Sequence, residues 1–242
     1  MYEPRTYRHW VKGKDLTNFN IIVKETDLYI RASTDLSSKA YKLVVKFRNA
    51  LEQYIKRHPD FASSHTPLLA DKDAPIIVRK MSESAAKAGV GPMAGVAGAI
   101  AEMVGVGLLK FSPEVIVENG GDIYLKSLER RWVGIYAGKS PLTGKIALEI
   151  EGKDTPLGIC TSSGTVGHSL SYGQADAVMV ISKSATLADV AATAIGNLII
   201  ESGDIPRGIN FAERLDGVCG VVIIKDDEVG FWGNIKVCRM IM

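Results

Sequence analysis

The chain has 242 residues, 46% hydrophobic and 23% charged, with a formal net charge of +2. That length is enough to bury a proper core in one large domain or two small ones, and the composition is that of an ordinary globular protein. The balanced charge shows no basic stripe, which argues against a nucleic-acid partner. The cysteines Cys160, Cys219 and Cys238 are sparse and odd in number. They make neither a disulfide framework nor a CxxC metal site and point to a reducing compartment.

The chain opens on a basic, aromatic arm, YRHWVKGK, with no apolar signal core before Trp10. The expectation is an exposed arm on a cytoplasmic protein, with contact to an anionic partner as the other reading of the arm. FNIIVKETDLYIRAS then alternates apolar residues around a polar KETD and predicts a hairpin. STDLSSKAYKLVVKFRNALEQYIKRH predicts a long amphipathic helix capped by Ser33 or Thr34, with Leu43, Phe47, Leu51, Tyr54 and Ile55 on one face and Pro59 limiting it. SSHTPLLADKDAP reads as a loop and PIIVRK as a short strand. The apolar run from Val90 to Leu109 is rich in Gly and Ala and broken by Glu102. It predicts a buried helix starting near Pro92 rather than a membrane span. EVIVENGGDIYL predicts two strands around NGGD, and RWVGIYAG, KIALEIEG, PLGICTS and ADAVMVISKS predict further strands. TLADVAATAIGNLIIES predicts a helix, and GVCGVVIIKDDEVGFWGNI a closing hairpin. Neighbouring strands with a few long helices between them indicate an α+β fold with a mixed or largely antiparallel sheet, and the absence of a linker indicates a single domain over 1–242.

Several stretches carry polar chemistry beside apolar strands. AGVGPMAG, with Gly91 before Pro92, is a glycine turn entering a helix. It is either a tightly packed core helix or an anion site at a helix N-terminus, and it lacks the ending of a Walker loop. Asn119, Gly120, Gly121 and Asp122 are either a plain hairpin turn or a turn that brings backbone and polar side chains to a ligand. Thr161, Ser162, Ser163 and Gly164 end a strand, with His168 and Ser169 shortly after; hydroxyls and amides there suit phosphate or ribose. No GxSxG elbow accompanies the serines, Cys160 reads as a buried thiol, and His168 has no partner at metal-ligand spacing. Asp189 and Thr193, four apart in an apolar helix, share one face. Asp189 either serves its helix terminus or binds a cation. Hard oxygen ligands suit magnesium or calcium.

In that order these motifs resemble the ApbE-like superfamily, known for FAD-dependent protein FMN transferases. The resemblance rests on NGGD at 119–122, the Thr161–Gly164 segment before His168, and Ala188-Asp189 with Thr193, and it covers about residues 85 to 200. It implies an ApbE-like fold and a pocket for a flavin nucleotide or another phosphate-bearing ligand, with FAD and magnesium as cofactors. Asp189 and Thr193 would be the metal ligands, and Asn119 to Asp122, Thr161 to Gly164, His168, Ser169 and Gly91 would surround the nucleotide. It assigns no catalytic residue. Where the transferases continue from the histidine into isoleucine-aspartate-proline-arginine-threonine-glycine, this chain has Ser169-Leu-Ser-Tyr-Gly-Gln-Ala-Asp176. It is also similar to a short cytoplasmic branch, uncharacterised protein family 0280. That branch adds two further readings: a sulfur-assimilation protein of anaerobes acting toward homocysteine, and a non-catalytic subunit with a degenerate site. Base rates alone leave a homodimer open.

Overall fold

A computed structural model describes residues 16–165 and 172–240. The N-terminal arm, and His168 and Ser169 of the hydroxyl-rich stretch, lie outside the described residues.

Local sequence fixes the first elements. β1 (Thr17–Val23) and β2 (Thr26–Ala32) form the expected hairpin, paired from Thr17↔Ala32 to Val23↔Thr26 with Lys24 in the left-handed region. α1 (Ser37–Arg57) buries Ala40, Val44, Phe47, Leu51 and Tyr54, a spacing of three to four residues that puts them on one face. Its N-cap is Leu36, not Ser33 or Thr34, and the Asp35 carboxylate accepts the Ser37 amide instead. A short turn, α2 (Asp60–Ser63), follows.

The segment expected as a strand at PIIVRK is α3 (Ile76–Ala88). Ile77, Val78, Met81, Ser82, Ala85 and Ala88 are buried, so the helical period extends past the β-branched start that imitates a strand. A 3-10 turn over Pro92–Gly95 leads into α4 (Val96–Leu108). Then come β3 (Val115–Asn119), β4 (Asp122–Lys126), β5 (Arg131–Gly134), β6 (Ile146–Ile150), β7 (Leu157–Ser162) and β8 (Ala177–Ser182). α5 (Ala185–Gly196) is capped by the Ser184 hydroxyl, which accepts the Leu187 amide. It ends earlier than the sequence suggests, and the chain re-enters a helix, α6 (Ile205–Arg214). β9 (Val218–Lys225), β10 (Glu228–Gly233) and β11 (Lys236–Arg239) complete the chain.

Eight strands form one antiparallel sheet in the order β1-β2-β3-β4-β7-β8-β9-β10, and β11-β6-β5 form a second, also antiparallel. Alternation along the strands divides the core. Val115, Val117, Tyr124, Cys160, Val178, Val180, Val221 and Ile223 pack toward the helices. Ile116, Ile123, Leu125, Ile159, Met179, Ile181 and Val222 pack with Val133, Ile135, Leu148 and Ile150 of the small sheet. The central strands are buried on both faces and read as continuous apolar runs for that reason. The result is an α+β fold in three layers: helices, large sheet, small sheet.

Candidate functional site

The site forms where the open ends of β3, β4 and β7 meet the helix layer. β3 and β4 are joined by two glycines, with Asn119 paired to Asp122. Gly120 has φ 67° and Gly121 φ 106°, and a Cβ on either would meet open space. Backbone conformation, not crowding, therefore demands glycine at both positions. The hairpin-turn reading of NGGD is correct, and the turn also aims its flanking side chains inward. Alternation from Val117 and Tyr124 places Asn119 and Asp122 on the helix side.

Asn119 Nδ2 donates to the Ala97 carbonyl at 3.1 Å, tying the turn to the first turn of α4. Asp122 Oδ1 accepts the Thr161 amide at 3.2 Å, just past the paired stretch Ile123↔Ile159. Thr161 thus contributes its backbone to Asp122. Beside it, Cys160 donates to the Ala185 carbonyl, and burial together with the nearby Asp122 and Asp189 charges pushes its thiol well up, so it stays protonated. Ser162 faces α5, with its Oγ 3.5 Å from where a Cβ on Gly196 would lie.

α4 and α5 pack at very short range. A Cβ on Gly95 would sit 2.7 Å from Val190 Cγ1, and one on Gly98 would sit 2.3 Å from the Ala185 carbonyl oxygen. That approach lets Asp189 reach across: its Oδ2 accepts the Gly98 amide at 2.8 Å. Gly98 lies in the first turn of α4, where backbone donors have no partner within the helix. Asp189 therefore caps the neighbouring helix rather than its own.

Asp122 and Asp189 are both 8% exposed. Burial pushes Asp189 up to about 7, against the pull of the Gly98 and Ala97 amides. Asp122 stands well above the usual carboxylate range, first because it is buried and second because Asp189 lies near. Two neighbouring buried carboxylates resist losing both protons, and no cationic side chain among the described residues offsets either. Such a pair offers hard oxygen to a divalent cation. Among the described residues no cluster of three or more His, Cys, Asp or Glu side chains could hold a metal, so an ion here would draw the rest of its shell from elsewhere.

The remaining expected residues fall around this centre. Thr193 lies one turn beyond Asp189, half-buried, and Asn197 one turn further accepts the Tyr172 amide at 2.9 Å. Ser163 and Gly164 belong to a loop closed on itself: the Gly164 amide donates to Ala175, and Thr165 bonds to Ser163 and Asp176. The nearest neighbours of Gly91 are Ser64 and His65; a Cβ there would lie 1.8 Å from the Ser64 carbonyl oxygen, so close packing accounts for that glycine. A depression of about 320 Å³ lined by residues including Tyr54, His58, Phe61 and Asp71 shares no residue with this site. What the sequence reading missed is the part played by the α4 amides and by Glu102. A lone carboxylate in an apolar helix was the available signal.

A family model described as AbpE bacteria matches residues 8–213. A UPF0280 protein of Methanopyrus kandleri is 43% identical over 226 residues, covering 90% of each chain. A UPF0280 protein of Methanocella arvoryzae is 41% identical over 219 residues, covering 90% of this chain and 89% of that one. Among solved structures, the apo form of the Pseudomonas stutzeri flavinyl transferase ApbE superposes with a TM-score of 0.58 at 16% identity, covering 92% of this chain and 94% of that one. The ApbE protein of Thermotoga maritima gives a TM-score of 0.54 at 13% identity, covering 89% and 96%.

Proposed function

The chain belongs to the ApbE-like family of the UPF0280 proteins, and from that membership we propose that it binds a flavin nucleotide such as FAD together with magnesium, as a flavinyl-transferase-like protein. The observation that carries the reading is the buried Asp122–Asp189 pair, which no cation among the described residues offsets, at the meeting point of the NGGD turn, the end of β7 and the face of α5. A divalent cation and a phosphate together complete such a site: the cation offsets the carboxylates, and the phosphate supplies the oxygens the protein lacks.

Asp189 and Thr193 would hold the ion, which when bound would draw charge from a pyrophosphate and ease its cleavage. The chain's own residues do the rest. Asn119 holds the turn against α4, Asp122 holds the Thr161 amide and with it the end of β7, and the hydroxyl of Ser162, with His168 and Ser169, would line the nucleotide; alternation along β7 turns the Thr161 hydroxyl to the small-sheet face, so Thr161 serves through its amide. The reading extends to a cytoplasmic protein. Among the described residues no single helix is long and apolar enough to cross a membrane.

Titration of FAD into wild type and Asp189→Asn, each with and without magnesium, tests this. Magnesium should tighten binding to wild type, and the substitution should remove that gain while the circular dichroism spectrum is unchanged. Equal affinities in all four titrations would reject the metal role and, with it, transferase-like chemistry.

A further inference from the structure

Glu102 lies inside α4, 6% exposed, in a helix otherwise made of Val, Ala, Gly, Ile, Met and Leu. A carboxylate so placed needs partners. Its Oε2 accepts the Thr186 amide at 3.0 Å, the Thr186 hydroxyl at 3.1 Å and the Ser184 hydroxyl at 2.8 Å, while Oε1 takes Lys80 Nζ at 2.8 Å. Burial alone would raise this carboxyl, but Lys80 and the Thr186 and Ser184 donors hold it below the usual range, so it stays ionised at neutral pH.

Ser184 and Thr186 are the N-cap and the second residue of α5. Glu102 therefore closes the first turn of α5 from α4, while Asp189 closes the first turn of α4 from α5. Each helix supplies the carboxylate that satisfies the other's free amides. The two locks lie about one turn apart along α5, and there is no slack between them: a Cβ on Gly98 would come within 2.3 Å of the Ala185 carbonyl oxygen and 2.8 Å of Asp189 Cβ. Displacing the first turn of α5 must then displace Asp189. Sliding α5 along its axis by one residue's rise would carry Asp189 by about 1.5 Å.

We propose that Glu102 is a positioning residue for the candidate site: by anchoring the start of α5 on α4 it sets where Asp189 and Thr193 present their oxygens. The proposal rests on the assignment of those two residues above, but its mechanical content can be read separately. Amide hydrogen exchange at Gly98 reports whether the Asp189 lock is closed, with or without a ligand.

The experiment compares Glu102→Gln, the milder Thr186→Val, which deletes one of the three bonds to Oε2, and Val222→Ala, a buried substitution in the layer facing the small sheet. Exchange at Gly98 and FAD affinity with and without magnesium are measured for each. Glu102→Gln should speed exchange at Gly98 and weaken the magnesium-dependent part of FAD binding about tenfold, the scale seen when partners behind a metal ligand are removed. Thr186→Val should move both in the same direction by less. Val222→Ala should lower the melting temperature and leave both near wild type. If Gly98 exchange in both Glu102→Gln and Thr186→Val matches that of Val222→Ala, Glu102 only stabilises the fold and the proposal is wrong. If Glu102→Gln does not fold, Thr186→Val decides by the same comparison. Should wild type show no magnesium-dependent binding, the functional assignment fails, and the exchange comparison still decides whether Glu102 sets the position of Asp189.

Discussion

Asp189 illustrates how one side chain can carry stability and chemistry in opposite directions. Its folded value lies at about 7, above the ordinary 3.8, so the folded state holds its proton more tightly than the unfolded chain does. Ionising it therefore costs stability, and that cost grows as pH climbs from about 4 to about 7 and is constant above. Asp189→Asn keeps an acceptor for the Gly98 amide and removes the charge. It should unfold at higher urea than wild type at pH 8 and lose that advantage at pH 4; greater urea sensitivity at pH 8 would mean that the cap, not the charge, dominates. Asp189 was legible in the sequence because a carboxylate in Ala, Ile, Leu and Val has to be explained. So was the NGGD turn, since Gly120 and Gly121 do what paired glycines between strands do. Glu102 was not legible as a partner of α5, because its bonds run to residues 82 and 84 positions away. Nor could the sequence tell that Thr161 meets Asp122 through its amide rather than its hydroxyl.

The α4–α5 pair depends on the absence of side chains. The glycines of α4 lower its intrinsic propensity, by about 1 kcal/mol each relative to alanine, yet Gly98 cannot be improved by alanine. Its Cβ would clash with the Ala185 carbonyl oxygen at 2.3 Å, a backbone atom with little room to yield. Gly98→Ala should destabilise the protein by about 1–3 kcal/mol, as overpacking does, and weaken magnesium-dependent FAD binding by pushing Asp189 aside. Chemical denaturation and the same titrations check it, and an alanine that stabilises would mean the helices separate freely. The expectation of a helix here was sound, because small residues with no strand alternation leave little else. α3 was misread because Ile76, Ile77 and Val78 supply a β-branched run at a helix start, where only the later Met81, Ala85 and Ala88 reveal the period. α6 went unread because Pro206 and Gly208 interrupt its polar sequence; Pro206 stands in the first turn, where proline is tolerated, and Gly208 lets Ile223 approach.

The large sheet was largely legible, since most of its pairings join strands adjacent in sequence and turns such as KETD and KDDE mark them. The small sheet was not: RWVG and IALEI look like any other strands, and nothing local says that they leave the main sheet after β4 and that β7 takes their place beside it. Because both sheets share one apolar layer, we propose that they unfold together as one domain. Variants retaining only Trp132, on β5, or only Trp232, on β10, should report the same midpoint in urea, and separated midpoints would divide the chain in two. The small sheet also has a consequence for the order of assembly. Its third strand pairs Lys236 with Glu149 and Cys238 with Ala147, contacts 87 and 91 residues apart along the chain. Such distant pairings must meet their loop-closure entropy before the contacts reward it. Every residue of the helix layer and of the Asp122–Asp189 centre precedes β11 in the chain, so the binding chemistry can be made while the opposite face still lacks this strand.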